Sequence, residues 1–376
     1  MKKTNFSAIL VAAITLLCCG TGCKKSSSDY LTLKVRPVDE LLKLSDFAEK
    51  VEVIKLANDS VLNGIEQLVV DKNGNLLIRD VERCFSLQLY APDGKLLCQV
   101  GKKGRGPGEY FSVDDIDIDS GKIFLDASGV MAYDMEGRYL SDIPKMNTVF
   151  HTNFAIKGDT LIKCYGGCYI SFDINGQSYR EYMKEVDIRG FSTPPTHRNS
   201  HLSKNMDDGT VYWERYYNDT IFEAVGGDIK PFLYVDFGDL KLPKDIPIDY
   251  MTANNEEAKK YCSDVSNFKI SDHIITFMFN YKGVPYTCIY NRDTKKQYVT
   301  PNIVKDIGNM CATFPKVYAV QGKKIYFHID PEGVVQMRNI LENTEIKNLD
   351  FMKEWSDLVG EANEEDNPYI AVVTCK

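Results

Sequence analysis

The sequence predicts an all-β fold, a propeller of six four-stranded antiparallel blades, and three observations predict it. The chain has 376 residues, more than one ordinary hydrophobic core accommodates, so it is either two domains or one repetitive architecture. Its 22 Tyr and 18 Phe belong on pleated, half-buried strand surfaces. A unit of paired strands and tight turns recurs along it, which favours the repetitive alternative.

The recurring unit is clearest at its first copy. Residues Ile65 to Asp80 contain a strand, the turn Asp71-Lys72-Asn73-Gly74 and a second strand beginning at Asn75. Leu87 to Tyr90 makes a third strand, Ala91-Pro92-Asp93-Gly94 reverses the chain, and Lys95 to Val100 makes a fourth. Asn-Gly and Asp-Gly accept positive φ at low cost, as tight reversals require. Four antiparallel strands in one unit make a propeller blade.

Later copies follow the same plan. The second has turns at Asp119-Ser120-Gly121 and Asp134-Met135-Glu136-Gly137, with Tyr133 in the place of Tyr90. A third spans Ile156 to Ile162 and Ser171 to Gly176, and a fourth spans Asp207 to Trp213 and Asn218 to Phe222. More degenerate copies are expected at Phe268 to Thr300 and from Val317 to the C-terminus. The last is one strand short, while Val51 to Leu56 stands unassigned. Pairing that segment beside Tyr369 to Thr374 completes the last blade, locks both termini and removes exposed edges.

The first residues form a sorting signal. Lys2 and Lys3 precede an apolar run from Phe6 to Leu17, too short to span a bilayer and laid out as a secretory leader. Gly20-Thr21-Gly22-Cys23 resembles a bacterial lipobox, which implies lipidation of Cys23 and a signal peptide of residues 1–22. Residues 23–49 are then expected to be anchor and tether, and residues 50–376 the propeller. The expected address is the cell envelope, on an outer membrane facing the periplasm, with surface display left open.

Eight of the 11 cysteines follow Cys23 without a regular framework or paired Cys-x-x-Cys motifs. Most are expected as small buried hydrophobes. Cys164 and Cys168 are either a local bridge or two thiols.

Two stretches carry a family resemblance. Val100-Gly101-Lys102-Lys103-Gly104-Arg105-Gly106-Pro107-Gly108-Glu109-Tyr110 resembles the linker between blades of NHL-type (TolB-like) propellers. Asn218 to Phe222, Lys230-Pro231-Phe232, Val235 to Gly238 and Asn363 to Pro368 resemble the six-bladed β-propeller lipoproteins of the Bacteroides group. The resemblance implies a fold and an envelope location, and little about activity.

Strand order decides which loops share a face. Second-to-third strand loops and blade-to-blade linkers emerge on one side, tight turns on the other, so the elaborate loops mark the expected ligand face. That side offers Arg79, Arg83, Arg105, Trp213, Arg215 and Tyr216, a mixture of rings and guanidinium groups able to stack on and hydrogen-bond a glycan, a peptide or an envelope protein. A plain solvated rim is the competing description of each. Two excursions should lie over the same face. In Leu240 to Cys262, Asn254-x-x-Glu257 announces a helix; in Pro331 to Pro368, Leu349, Met352, Trp355 and Leu358 recur at helical spacing.

Catalytic signals are weak. Gly101 to Gly108 lacks the Gly-Lys-Ser/Thr ending and the helix of a phosphate-binding loop. His197 and His201 have metal-like spacing, but Pro194 and Pro195 oppose a helix and no third ligand is evident, so no metal site is expected. No Gly-x-Ser-x-Gly elbow is present. Asp114, Asp115, Asp117 and Asp119 read as solvated strand and turn positions. The net charge of −8 opposes general nucleic-acid binding. The expectation is therefore a lipid-anchored, non-catalytic binding protein without a cofactor. The alternative is a metal-dependent hydrolase or lactonase with an ion in the central channel, which needs carboxylate and amide ligands converging from several blades.

Overall fold

The computed structural model describes residues 30–80, 86–127, 129–143, 153–165, 169–174, 178–183, 201–215, 218–246, 256–304, 316–342 and 360–376. It is an all-β propeller. Five sheets are four-stranded antiparallel blades: Ile65–Val70 through Leu96–Gln99, Asp115–Asp119 through Tyr139–Asp142, Asn153–Lys157 through Ser178–Met183, Ser263–Ile270 through Gln297–Thr300, and a blade closed from both ends of the chain. The sheet built from His201–Lys204, Val211–Glu214, Thr220–Val225 and Asp228–Asp236 departs from the expected uniform pattern. It carries a fifth strand, Leu31–Lys34, which pairs in parallel with Asp228–Asp236 on the outer edge. The expectation of six identical four-stranded blades is corrected accordingly.

The first strand of each sheet lies innermost. These strands neighbour one another around the centre in chain order, and Ala319–Gln321 returns to Ile65–Val70. Apolar faces of adjacent sheets meet between them: Leu77 and Leu89 pack with Ile116, Leu125 and Met131, while Tyr212 and Phe237 pack with Phe268, Phe277 and Phe279. The core is therefore a set of wedges between sheets, with a narrow polar channel at the axis.

Closure occurs where the unassigned segment predicts it. Ala48–Lys55 pairs antiparallel with Tyr369–Cys375, placing Ile54 opposite Ile370 and Val53 opposite Ala371. The turn after Leu87–Tyr90 presses on this strand. A Cβ on Gly94, whose φ is +86°, would lie 2.1 Å from the Lys55 carbonyl oxygen, so only glycine fits there.

The ordered fold begins well before residue 50. Leu31–Lys34 covers one outer edge, Leu42–Lys43 pairs with Ile303–Val304, and Leu44 and Phe47 are buried against Val51, Phe327 and Tyr369. Residues 31–49 thus form a belt across outer sheet edges rather than a tether, because those edges hold unpaired backbone groups that a passing strand satisfies.

The helix expected at Asn254 to Lys260 is a single 3₁₀ turn, Ala258–Lys260, and Asn254 lies outside the described residues. Leu349, Met352, Trp355 and Leu358 also lie outside them. A helix does form at Pro331–Glu342 and buries Val334 and Val335. Asp330-Pro331-Glu332, a proline at the first helical position followed by an acidic residue, is the start signal.

Candidate binding site around the central channel

Alternate residues of Asp115–Asp119 share one side of an innermost strand. Asp115 accepts the Phe154 N–H at 2.7 Å, Asp117 the Ile156 N–H at 2.7 Å, and Asp119 the Gly158 N–H at 3.2 Å. The three carboxylates thus satisfy the exposed inner edge of the neighbouring blade. Asp115 and Asp117 are buried, which corrects the expectation of solvated positions. Burial pushes the Asp115 carboxyl up to about 6, opposed by the bonds from Phe154 and Gln67 and by the charge of Arg79.

Lys204 ends its own innermost strand and fills the axis beside this ladder. Its ammonium donates to Asp117 (3.2 Å), Asp119 (2.7 Å) and the carbonyls of Ile118 (3.0 Å) and Ile156 (2.6 Å). Asp119 opens the tight turn with Ser120 and Gly121, so this clamp lies at the tight-turn end of the channel.

Toward the loop-rich end another relay joins the blades. Arg79 Nε donates to Gln67 Oε1 at 3.3 Å, and Gln67 Nε2 donates to Asp115 at 2.6 Å. Arg79 also reaches the Val113 carbonyl at 3.3 Å and Glu66 at 3.8 Å. Between relay and clamp is a cavity of about 80 Å³, lined by Gln67, Asp115, Ser203, Lys204, Lys269 and Tyr318 among others.

Of the expected ligand-face residues, Arg79 and Arg105 stand at the loop-rich end, Arg79 mostly committed to the relay and Arg105 exposed on its linker. Arg83 and Tyr216 lie outside the described residues. Trp213 is fully buried and packs on Phe222 at 5.9 Å, so it is core and not a stacking platform. Arg215 is buried too, its guanidinium 5.4 Å from the Trp213 ring and 5.7 Å from the Phe222 ring. Glu214 accepts the Phe268 N–H at 2.8 Å, and burial holds its carboxyl above the ordinary range against that bond and the charge of Lys269.

The glycine-rich linker carries its own anion. Glu109 accepts the Gly106 N–H at 2.9 Å and pairs with Lys102 at 3.0 Å, and a Cβ on Gly104 would lie 1.9 Å from its carboxylate oxygen. The loop's backbone donors face a side chain of the same chain. Among the cysteines, Cys98, Cys262, Cys288 and Cys375 are unbridged thiols; Cys164 is buried, and Cys168 lies outside the described residues. His197 likewise lies outside them.

The family model described as "Domain of unknown function (DUF4934)" matches residues 33–374. The chain belongs to this family. No curated protein matches it. Among solved structures, a Bacteroides fragilis NCTC 9343 protein whose name proposes export aligns with a TM-score of 0.67 at 16% identity, over 92% of this chain and 99% of that one. A member of the DUF4221 family from Bacteroides vulgatus ATCC 8482 gives 0.47 at 9% identity, over 88% and 97%. A protein of unknown function from Bacteroides thetaiotaomicron VPI-5482 gives 0.44 at 9%, over 89% and 74%. The first of these likenesses supports the propeller fold of this DUF4934 member and speaks to fold alone.

Proposed function

We propose that this DUF4934 protein is exported, is lipid-anchored through Cys23, and binds a glycan, peptide or envelope protein with its loop-rich face, without catalysing a reaction. The five-stranded sheet then counts as the remaining blade of a six-blade ring. The name of the Bacteroides fragilis relative agrees with export.

The direction of Leu31–Lys34 carries the proposal. The strand runs parallel to Asp228–Asp236, which starts at the Gly226-Gly227 tight turn and ends on the linker side. The chain therefore arrives from the tight-turn side. An anchor at Cys23 holds that side toward lipid and turns the loop-rich face outward, where a soluble partner reaches it.

The hydrolase alternative gains no support from the axis. The Asp115 and Asp117 carboxylates are taken by backbone amides, Gln67 and Lys204, and the described residues contain no gathering of three His, Cys, Asp or Glu side chains suited to a cation.

A glycan and peptide binding array on a soluble fragment beginning near Asp29 tests the proposal. A hit weakened at least tenfold by Arg105→Ala, an exposed position whose loss leaves the fold intact, supports the face. A hit unchanged by Arg105→Ala and by Arg79→Ala places binding elsewhere, and no hit with any probe counts against a binding role.

A further inference from the structure

The outer strands of the blades are covered unequally. Leu31–Lys34 pairs along the outer strand Asp228–Asp236. The same N-terminal belt roofs the outer strand Gln297–Thr300, with the Leu42 N–H donating to Thr300 Oγ1 at 3.0 Å and the Phe47 ring 5.8 Å from the Tyr298 ring. Leu96–Gln99 and Tyr139–Asp142, the outer strands of the first two blades in chain order, end their sheets with no strand beyond them among the described residues. Leu96–Gln99 carries neither charge nor proline, the usual guards of an open edge.

A bulge recurs in these outer strands, and its extra residue meets different surroundings. In Asp228–Asp236 that residue is Phe232, since Ile221 pairs with Leu233 and Phe222 with Pro231. Phe232 packs on Tyr212 at 4.5 Å and on Phe268 at 6.4 Å. Leu97 holds the same place in the first blade, where Leu89 pairs with Cys98 and Tyr90 with Leu96. Leu140 holds it in the second, where Ala132 pairs with Ser141 and Tyr133 with Tyr139. A bulge re-aims a side chain out of the regular alternation. Here it sends two leucines into solvent, Leu97 50% and Leu140 47% exposed.

The two leucines belong to one junction between blades. Gly137, in the turn before Tyr139, approaches the first blade so closely that a Cβ would sit 2.4 Å from the Gln99 carbonyl oxygen and 3.2 Å from Cys98 Sγ. Gly108 of the glycine-rich linker presses on Tyr139, where a Cβ would sit 2.4 Å from the ring carbon Cγ. The linker is fixed there, with the Tyr133 hydroxyl donating to the Gly108 carbonyl at 3.1 Å and the Tyr110 hydroxyl to the Val100 carbonyl at 2.8 Å. It leads into Phe111, 63% exposed, with the Lys103 ammonium 5.4 Å from the ring centre. Ten large apolar side chains are exposed among the described residues, and four of them, Leu97, Phe111, Tyr139 and Leu140, share this junction. Apolar residues scattered singly over a surface are ordinary, whereas a gathering held on fixed backbone marks a contact surface.

The charge of the junction selects the partner. Lys102 pairs with Glu109 at 3.0 Å, and Arg138 with Asp134 at 2.7 Å and Glu136 at 2.8 Å. Three cations stand with one anion between Gly101 and Phe111, so the exposed Lys103 and Arg105 give the linker a positive outer edge. We propose that this junction docks an extended acidic segment of a partner protein, its apolar side chains on Leu97, Leu140 and Phe111 and its carboxylates on Lys103 and Arg105. The extended form follows from Leu31–Lys34, by which this fold already covers one outer edge and buries Leu33. Leucines present neither a flat ring nor a hydrogen-bond donor to a sugar, which favours a polypeptide over a glycan. The inference deepens the proposed function by choosing its protein partner, and rests on that reading only for the part played by Arg105.

Selection of a random-sequence peptide display library on the immobilised soluble protein, followed by fluorescence-anisotropy titration of the enriched peptides, tests the junction. The expected peptides combine acidic and apolar residues, and their affinity falls at least tenfold in the double variant Leu97→Ser, Leu140→Ser and in Phe111→Ser, and severalfold in Arg105→Ala. No enrichment, enrichment of basic peptides, or affinity unchanged in either apolar variant overturns the inference. Thermal melts separate a lost surface from a lost fold, and Phe111→Ser alone decides should the double variant not fold. Sedimentation of the wild type supplies a second arm, in which a dimer lost in the apolar variants, without peptide binding, gives the junction to a second copy and overturns the inference. Array hits that need Arg105 but neither leucine leave the binding face standing while the junction fails, and no hit in either assay removes both.

Discussion

Asn367 Oδ1 accepts a 2.8 Å hydrogen bond from the backbone N–H of Leu62, a residue 305 positions away. The same amide donates to the carbonyls of Ala57 and Ser60 at 2.7 Å each. Asn58 answers with its own pair, accepting from the Asn367 N–H and donating to Asp366, both at 2.8 Å. A polar clasp centred on the buried Asn367 therefore continues the closing ladder beyond its last strand pair, where the chain ends would otherwise fray.

Asn367→Ala should lower stability by about 3 kcal/mol, since it strands one buried donor and two acceptors that each cost of order 1–3 kcal/mol unpaired. Urea denaturation should show a lower midpoint at unchanged slope. A loss under about 1 kcal/mol would mean that water replaces the amide.

Asp366 makes the clasp pH-sensitive. Burial raises its carboxyl, but bonds from Tyr369 (2.5 Å), Lys55 (2.9 Å), Asn363 and Asn58 outweigh that and hold it at about 2. A depressed carboxyl contributes stability above its unfolded value near 3.8 that is lost as pH falls toward 2, up to about 2 kcal/mol here. Asp115 has the opposite sign. Raised to about 6, it binds its proton more tightly in the folded state, so its contribution declines as pH rises from 3.8 through 6. Stability measured from pH 2 to 7 should have a shallower acid limb in Asp366→Asn and a smaller decline between pH 4 and 6 in Asp115→Asn, where Asp264, also raised to about 6 by burial, still contributes.

Lys204→Met should cost about 3–5 kcal/mol, because it leaves Asp117 and Asp119 beside an apolar side chain at the axis. Asp117→Asn combined with Lys204→Met should cost less than the sum of the single changes. A double-mutant cycle giving no coupling would show the clamp to be energetically idle.

Trp213→Ala should cost about 3–5 kcal/mol through the cavity it opens beside Phe222 and Arg215. Chemical denaturation measures the loss, and a midpoint unchanged from that of the wild type would show that Trp213 carries no packing energy.

Much of the architecture was legible in one dimension. Turn chemistry at Asp71 to Gly74 and Ala91 to Gly94 marked the hairpins, and an orphan strand near Ile54 matched a blade lacking one near Ala371. Local rules suffice for these because φ preferences and period-two alternation act between near neighbours.

The site was less legible. Asp115, Asp117 and Asp119 were visible as a period-two set, yet nothing local says that the face they share meets the naked inner edge of another blade. Trp213 and Arg215 looked like a ligand platform because sequence gives residue type and strand end, whereas burial depends on what the next sheet brings against them. Lys269 carried no signal, as its place depends on two bulges and on Asn267 finding the Val317 carbonyl.

The amino-acid sequence alone determined that the chain folds as a propeller sealed by its own N-terminal strand, since hairpins and strand counts follow from short-range backbone preference. Only the tertiary structure decided which charges face the axis and which are spent on backbone amides. Burial and electrostatic pairing join residues up to hundreds of positions apart, a distance over which local sequence carries no information.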